Sequence, residues 1–135
     1  MDVIAARNRA IKKANCKFIA FLDADDYWYP NKLRKQLDYM LANPNCGLTF
    51  TNYQHVDTQY QEIIDCFSYW PEFKTHRDAN NPDYKQLENA LDLLLIANVI
   101  GTSCVMVNKE IIDAQAVSIQ AFAVLTIGIA GCALR

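Results

Sequence analysis

The stretch Phe18-Ile19-Ala20-Phe21-Leu22-Asp23-Ala24-Asp25-Asp26-Tyr27-Trp28-Tyr29-Pro30 decides how this chain folds. Its first five residues are apolar without interruption, the pattern of a strand buried on both faces of a parallel sheet. Three carboxylates follow at once, Asp23, Asp25 and Asp26, and Pro30 turns the chain. Acids placed directly after a buried strand must reach solvent, pair with cations or hold a metal, because burying them bare is costly. In open α/β sheets the carboxyl ends of the strands are where ligands bind. Chemistry is therefore expected at Asp23-Ala24-Asp25-Asp26.

On the N-terminal side, Val3, Ile4, Ala6, Ala10, Ile11 and Ala14 recur at helical spacing, with Arg7, Arg9, Lys12 and Lys13 largely on the other sides. This predicts a helix over Met1–Asn15, stopped at Asn15, a residue that tolerates the left-handed conformation. A helix joined to a buried strand by the short link Asn15-Cys16-Lys17 is half of a βαβ unit. The strand that would come first is not in the sequence, so a fragment of a larger sheet is expected. After Pro30 and Asn31, the spacing of Leu33, Leu37, Met40 and Leu41 predicts a second helix, closed by Asn43-Pro44-Asn45. Strands are expected at Gly47–Tyr53 and Thr102–Val107, a helix at Leu87–Ala97, and a short helix from Lys109. Asp57–Asn81 has no steady period and is expected to be a long surface excursion of the kind that carries binding residues. The chain is thus α/β, with a mainly parallel sheet flanked by helices.

The totals narrow the function. At 135 residues with 52% apolar and 21% charged, the chain suits one globular core. Thirteen basic against 15 acidic residues give a net charge of −2, without the basic excess that nucleic-acid binding wants. The five cysteines, Cys16, Cys46, Cys66, Cys104 and Cys132, are odd in number and contain no Cys-x-x-Cys. Neither His55 nor His76 stands at ligand spacing from them, so the cysteines read as reduced thiols, mostly buried, in a cytosolic setting rather than as a zinc site. Charges at Asp2, Arg7, Arg9, Lys12 and Lys13 interrupt any signal-peptide core. Ala114 to Leu134 carries no charge and is long enough for a membrane span. Gln115, Ser118, Gln120, Thr126 and the glycines thin its apolar density, so a buried tail stands beside that reading.

Two carboxylates two residues apart in a tight turn can face one hard cation such as Mg2+ or Mn2+, which prefers oxygen ligands. Such an ion bridges a diphosphate and neutralises charge on a leaving group. The plainer alternative is a surface turn in which an aspartate caps the helix after Pro30. Arg7, near a helix N-terminus, has a charge and position suited to a phosphate, or belongs simply to a solvated basic face. Trp28 and Tyr29 suit stacking on a sugar or base, and equally suit a lid over the next helix. His55 and His76 are isolated and receive no role.

Three blocks now line up: Ala5-Ala6-Arg7-Asn8-Arg9-Ala10-Ile11-Lys12-Lys13-Ala14, Phe18-Ile19-Ala20-Phe21-Leu22-Asp23-Ala24-Asp25-Asp26 and Pro30-Asn31-Lys32-Leu33-Arg34-Lys35-Gln36-Leu37. In this order and at this spacing they resemble the middle of a family 2 glycosyltransferase of the GT-A fold. The resemblance is strong over Val3–Leu41 and weaker over Asn98–Ile112, where Gly101-Thr102-Ser103-Cys104-Val105-Met106-Val107 is similar to the family's acceptor-side strand. It implies a partial GT-A (Rossmann-like) domain over residues 1–113, with 114–135 as an uncharged apolar tail. It further implies inverting, metal-assisted transfer of a sugar from a nucleotide-diphosphate donor to an acceptor hydroxyl, for glycan or cell-envelope polysaccharide synthesis. Arg7, Asp23 and Asp25 would bind the nucleotide-sugar. Asp25 would be the nearer ligand of Mg2+ or Mn2+, and Asp23 would sit by the donor ribose or the metal. Asp26 and Trp28 would border a glycan or lipid-linked acceptor. The setting would be cytoplasmic, at the inner face of a membrane if the tail or the acceptor brings the chain there, and no nucleic acid is involved.

The chain departs from the family in two places. The family's opening strand and nucleotide-gripping loop would precede Met1, and its general base, usually in a Glu-Asp pair, would come later. No Asp or Glu follows Asp113, so no base is named. Two other functions fit parts of the sequence. A haloacid-dehalogenase-type phosphatase also runs an apolar strand into Asp-x-Asp, but wants a small Thr or Val four positions after its nucleophile, where Tyr27 stands. A non-catalytic remnant or binding module would carry uncovered sheet edges and apolar faces.

Overall fold

The computed structural model describes residues 3–71, 73, 84–87, 96–97, 99–115 and 131–134. Helix α1 (Val3–Lys13) buries Ile11 and ends on Lys12 and Lys13, cations that suit the negative end of a helix. Strand β1 (Phe18–Ala20) leads through the acidic stretch to α2 (Lys32–Ala42). The expected stop at Asn43 is made by its backbone N–H and its side-chain amide, which both donate to the Tyr39 carbonyl, at 3.0 and 2.9 Å. Then come β2 (Leu48–Thr51), β3 (Gln54–Val56), β4 (Glu62–Asp65) and the single turn α3 (Cys66–Tyr69). Asp65 caps that turn, its Oδ1 accepting the Ser68 N–H at 2.8 Å. The remaining elements are β5 (Tyr84–Gln86), a 3-10 turn at Thr102–Cys104 leading into β6 (Val105–Asn108), α4 (Lys109–Gln115) and β7 (Gly131–Leu134).

Five of the strands form one sheet in the order β1-β6-β2-β7-β5, and β3 and β4 make a separate hairpin. The expected mainly parallel sheet is not what the described residues form, since three of the four pairings in the large sheet are antiparallel. The reason is β6. Strands β1 and β2 do run in the same direction, as a crossover through α2 requires. However, β6 lies between them and pairs antiparallel with both, so the two strands never touch.

That insertion also corrects the burial of the opening stretch. Among the described strands β1 pairs with β6 alone; it is three residues long and half-buried throughout, and Leu22 lies exposed beyond it. The strands buried on both faces are the inner ones: all four residues of β2 are buried, as are Val105, Met106 and Val107 of β6. The unperiodic region after Asp57 is not all surface. Cys66, Phe67 and Phe73 enter the core, with the Phe67 and Phe73 rings 4.5 Å apart and Phe50 6.0 Å from Phe67. Most of the expected helix at Leu87–Ala97 lies outside the described residues, though Leu87 and Ala97 are buried. Residues 116–130 of the apolar tail also lie outside them, while Gly131–Leu134 pairs with β2 and β5. Among the described residues no helix is long and apolar enough to cross a membrane.

One buried amide ties α2 to the sheet. Gln36 is 0% exposed. Its Nε2 donates to the Cys104 carbonyl at 2.9 Å and to Thr49 Oγ1 and O at 3.2 and 3.3 Å, while its Oε1 accepts from Lys32 Nζ at 2.8 Å. The expected cost of Gln36→Leu, which strands these partners, is about 2–3 kcal/mol. Arg34→Ala, which removes an exposed pair with Asp38 at 3.8 Å, should cost under about 0.5 kcal/mol, both read from urea unfolding. Lys32 adds a pH signature. Its burial pushes the ammonium down to about 8. Below that pH both the folded and unfolded chains hold the proton, and the burial penalty is felt in full. As the pH rises from there toward the ordinary lysine value, the unfolded chain holds more proton and the folded state gains. Wild type should therefore gain stability relative to Lys32→Met between pH 7 and 9, and a constant difference would contradict this.

Candidate functional site

Antiparallel pairing of β1 with β6 opposes Phe18 to Asn108, Ile19 to Val107 and Ala20 to Met106. Continued for three more residues, that register brings Asp23 opposite Ser103, in the 3-10 turn that precedes β6. The contact is made: the Asp23 backbone N–H donates to Ser103 Oγ at 3.0 Å. The Ser103 carbonyl accepts the indole Nε1–H of Trp28 at 2.7 Å. Between these two anchors the Asp26 N–H donates to the Asp23 carbonyl at 3.2 Å, closing a turn over residues 23–26. The acidic stretch is therefore a loop held at both ends by one buried serine.

The first helix reaches the same loop. The Arg7 guanidinium pairs with Asp23 Oδ1, in a setting where the two side chains are 23% and 35% exposed. Charge-assisted bonds of this kind are stronger than neutral ones, and partial burial limits their screening. Trp28 is gripped a second time, with Lys32 Nζ 4.5 Å from its ring centroid. Asp25 and Asp26 are exposed on the loop, and neither carboxylate has a salt-bridge partner among the described residues.

Behind the loop the chemistry is quiet. Burial pushes the Cys104 thiol up to about 11, against the pull of nearby Lys32, and burial also raises Cys66 and the Tyr53 hydroxyl. Neutral thiols are poor nucleophiles and poor metal ligands. Cys16, Cys46, Cys66 and Cys104 are all free thiols. Gly101 packs against this region, and a Cβ there would make ordinary contacts, 3.4 Å from Cys104 Sγ and 3.5 Å from the Tyr53 ring.

Of the residues singled out in the sequence, Arg7 and Asp23 meet directly, Asp23 and Trp28 share Ser103, and Asp25 and Asp26 occupy the turn between. His55 is exposed with its ring 5.3 Å from Tyr53, and His76 lies outside the described residues. Two residues with a part in the site were not singled out. Ser103 lay inside the Gly101–Val107 block and Lys32 inside the Pro30–Leu37 block, where a glutamine four residues on was the one local hint of its partner. Among the described residues no group of three His, Cys, Asp or Glu side chains converges on a point. A metal here would draw only one or two carboxylates from the protein, as Mg2+ does when phosphates and water complete its shell. The exposed Asp25, beside Asp23, fits that role.

Comparison with known proteins identifies the family of the chain. The family model described as Glycosyl transferase family 2 matches residues 2–113. The chain is 35% identical over 105 residues to the putative teichuronic acid biosynthesis glycosyltransferase TuaG of Bacillus subtilis (strain 168), covering 78% of this chain and 35% of that protein. It is 48% identical over 52 residues to the UDP-Glc:alpha-D-GlcNAc-diphosphoundecaprenol beta-1,3-glucosyltransferase WfgD of Escherichia coli, covering 38% of this chain and 20% of that one. To WfaP of Escherichia coli, which bears the same enzyme description, it is 51% identical over 48 residues, 36% and 19% of the two chains. The chain thus spans about a third of the first of these relatives and about a fifth of the other two. With a family match over most of its length, this chain belongs to Glycosyl transferase family 2.

Proposed function

We propose that this chain forms the donor-diphosphate and acceptor-facing part of an inverting glycosyltransferase that builds a cell-envelope polysaccharide. One observation carries the proposal most: the Asp23–Asp26 turn is fixed by Arg7 and Ser103 while Asp25 stays exposed. Asp25, with Asp23 beside it, would hold Mg2+ or Mn2+, and Arg7 would add positive charge on the donor side. When bound, the ion would offset negative charge on the departing nucleotide diphosphate. The chain's own residues position the reactants. Arg7 orients Asp23, Ser103 fixes the loop backbone, and Trp28 with Asp26 borders the acceptor. In an inverting transfer the acceptor hydroxyl attacks the sugar opposite the leaving diphosphate, and the proton it loses is assigned to no residue of this chain.

The relatives supply the substrate class. TuaG is described as acting in teichuronic acid biosynthesis, and WfgD as moving glucose from UDP-Glc to a diphosphoundecaprenol-linked sugar. A UDP-sugar donor and a lipid-linked glycan acceptor are accordingly proposed here, in the cytoplasm at the inner face of a membrane. A phosphatase using Asp23 as nucleophile is disfavoured, because Asp23 Oδ1 is engaged by Arg7 and the large Tyr27 stands where that chemistry wants a small residue.

Titration of UDP with and without Mn2+ tests the site. Wild type should bind UDP more tightly with Mn2+, and Asp25→Asn should lose most of that gain, about tenfold in Kd. Metal-independent binding of equal strength in wild type would contradict the proposal. The Arg7–Asp23 pair should behave as a partly buried bridge. Arg7→Met is expected to lower stability by about 1–2 kcal/mol and to weaken Mn2+–UDP, with Arg7→Lys recovering part of both.

A further inference from the structure

Three tyrosines meet beside the acidic loop, from two separate parts of the chain. Tyr27 and Tyr29 come from the loop itself, with ring centroids 6.0 Å apart, and Tyr60 comes from the turn of the β3–β4 hairpin, 5.9 Å from Tyr27. Both pairs are edge-to-face, and Tyr29 is tied to the hairpin by its hydroxyl, which donates to Gln54 Oε1 at 2.8 Å. The rings are nonetheless 51%, 61% and 71% exposed. Large aromatic surface left in water while held by specific contacts marks a binding surface more often than a packing defect.

The backbone of Tyr60 gives an independent pointer. Its φ is 60°, the one positive φ of a non-glycine residue among the described residues. The turn is tightly made: Asp57 Oδ1 accepts the N–H groups of Gln59 and Gln61 at 2.8 and 2.9 Å, and the Asp57 carbonyl accepts the Tyr60 N–H at 3.0 Å. Glycine adopts this φ without steric cost, and a bulky aromatic residue does not. A tyrosine held there against its own preference places its ring over Tyr27, and backbone strain of this sort gathers where a ligand is bound.

The surrounding charge selects the ligand. Asp25, Asp26, Asp57 and Glu62 are the exposed charged residues of the loop and hairpin. Glu62 is near enough to help raise the Tyr29 hydroxyl, after partial desolvation and Tyr27. Asp26, Asp57 and Glu62, the carboxylates here to which the transferase reading assigns no metal, repel phosphates and anionic headgroups but accept hydrogen bonds from sugar hydroxyls. An aromatic face with acids at its rim therefore suits an uncharged polyol whose ring has one apolar C–H face.

We propose that Tyr27, Tyr29 and Tyr60 form a stacking platform for a neutral pyranose, the terminal sugar of the acceptor, beside Asp25 and Asp26. This rests on the transferase reading above and names the contact that sets acceptor specificity within it. The test is saturation-transfer NMR on the full chain, irradiating aromatic protons and observing methyl β-D-glucopyranoside and the methyl glycoside of N-acetylglucosamine. Tyr60→Gly removes the ring and also relieves the positive φ, so it should fold at least as well as wild type. It should cut transfer to the sugar by at least about fivefold, with Tyr60→Phe close to wild type and Mn2+–UDP binding unchanged in both. Equal transfer in wild type and Tyr60→Gly, or none from wild type, overturns the platform. Sugar transfer in a chain that binds no UDP overturns its acceptor role, and points to the transferase reading as the failure. Retention of wild type, but not Tyr60→Gly, on sugar-free phosphatidylglycerol vesicles would show a lipid surface instead and overturn the sugar assignment.

Discussion

The site depends on the register between β1 and β6. With Ala20 opposite Met106, Ser103 falls against Asp23, and one small buried residue accepts hydrogen bonds from both ends of the acidic loop. A slip of one residue would turn every side chain of β1 to the other face of the sheet and carry Asp23 away from Ser103. The register is protected where it matters, because β6 is also zipped to β2 and its residues Val105 to Val107 are buried. Stability of the core and placement of the loop are thus set by the same strand.

Around that strand the helices act as clamps with different chemistry. α1 reaches the loop with a charge, through Arg7 on Asp23, and α2 reaches it with Lys32 over Trp28. Lys32 also donates to Gln36, which in turn donates to the Cys104 carbonyl next to Ser103. Trp28 is consequently fixed through its edge and its face by neighbours that are linked to each other. The outcome is an anchored loop with two exposed carboxylates displayed on it, which under the proposal would serve a divalent ion whose remaining ligands come from a diphosphate.

The parts of this arrangement that were legible in the sequence are local. Helical spacing placed α1 and α2, Asn43 stopped α2, and the change from Phe18–Leu22 to Asp23 marked the place of the loop. What failed was non-local. Five apolar residues in a row look the same whether a strand lies inside a sheet or at its border, so β1 read as fully buried. Strand direction leaves no trace in periodicity, and the insertion of β6 between β1 and β2 could not be seen from either strand alone. The single turn of α3 is too short to show a helical period, which hid the burial of Phe67. Tyr60 carries no signal of its own in the sequence, because its positive φ comes from the Asp57 turn and not from its own preference.

Under the proposed function, Ser103 holds the loop in the conformation that presents Asp25. Ser103→Ala tests this directly, since it deletes the acceptor for the Asp23 N–H while leaving the backbone carbonyl that binds Trp28. UDP affinity should be measured with and without Mn2+ in this variant, alongside its unfolding free energy. Loss of one such hydrogen bond should weaken Mn2+–UDP by roughly fivefold and cost about 1 kcal/mol in stability, with metal-free UDP binding unchanged. A variant that binds Mn2+–UDP as tightly as wild type would contradict the account.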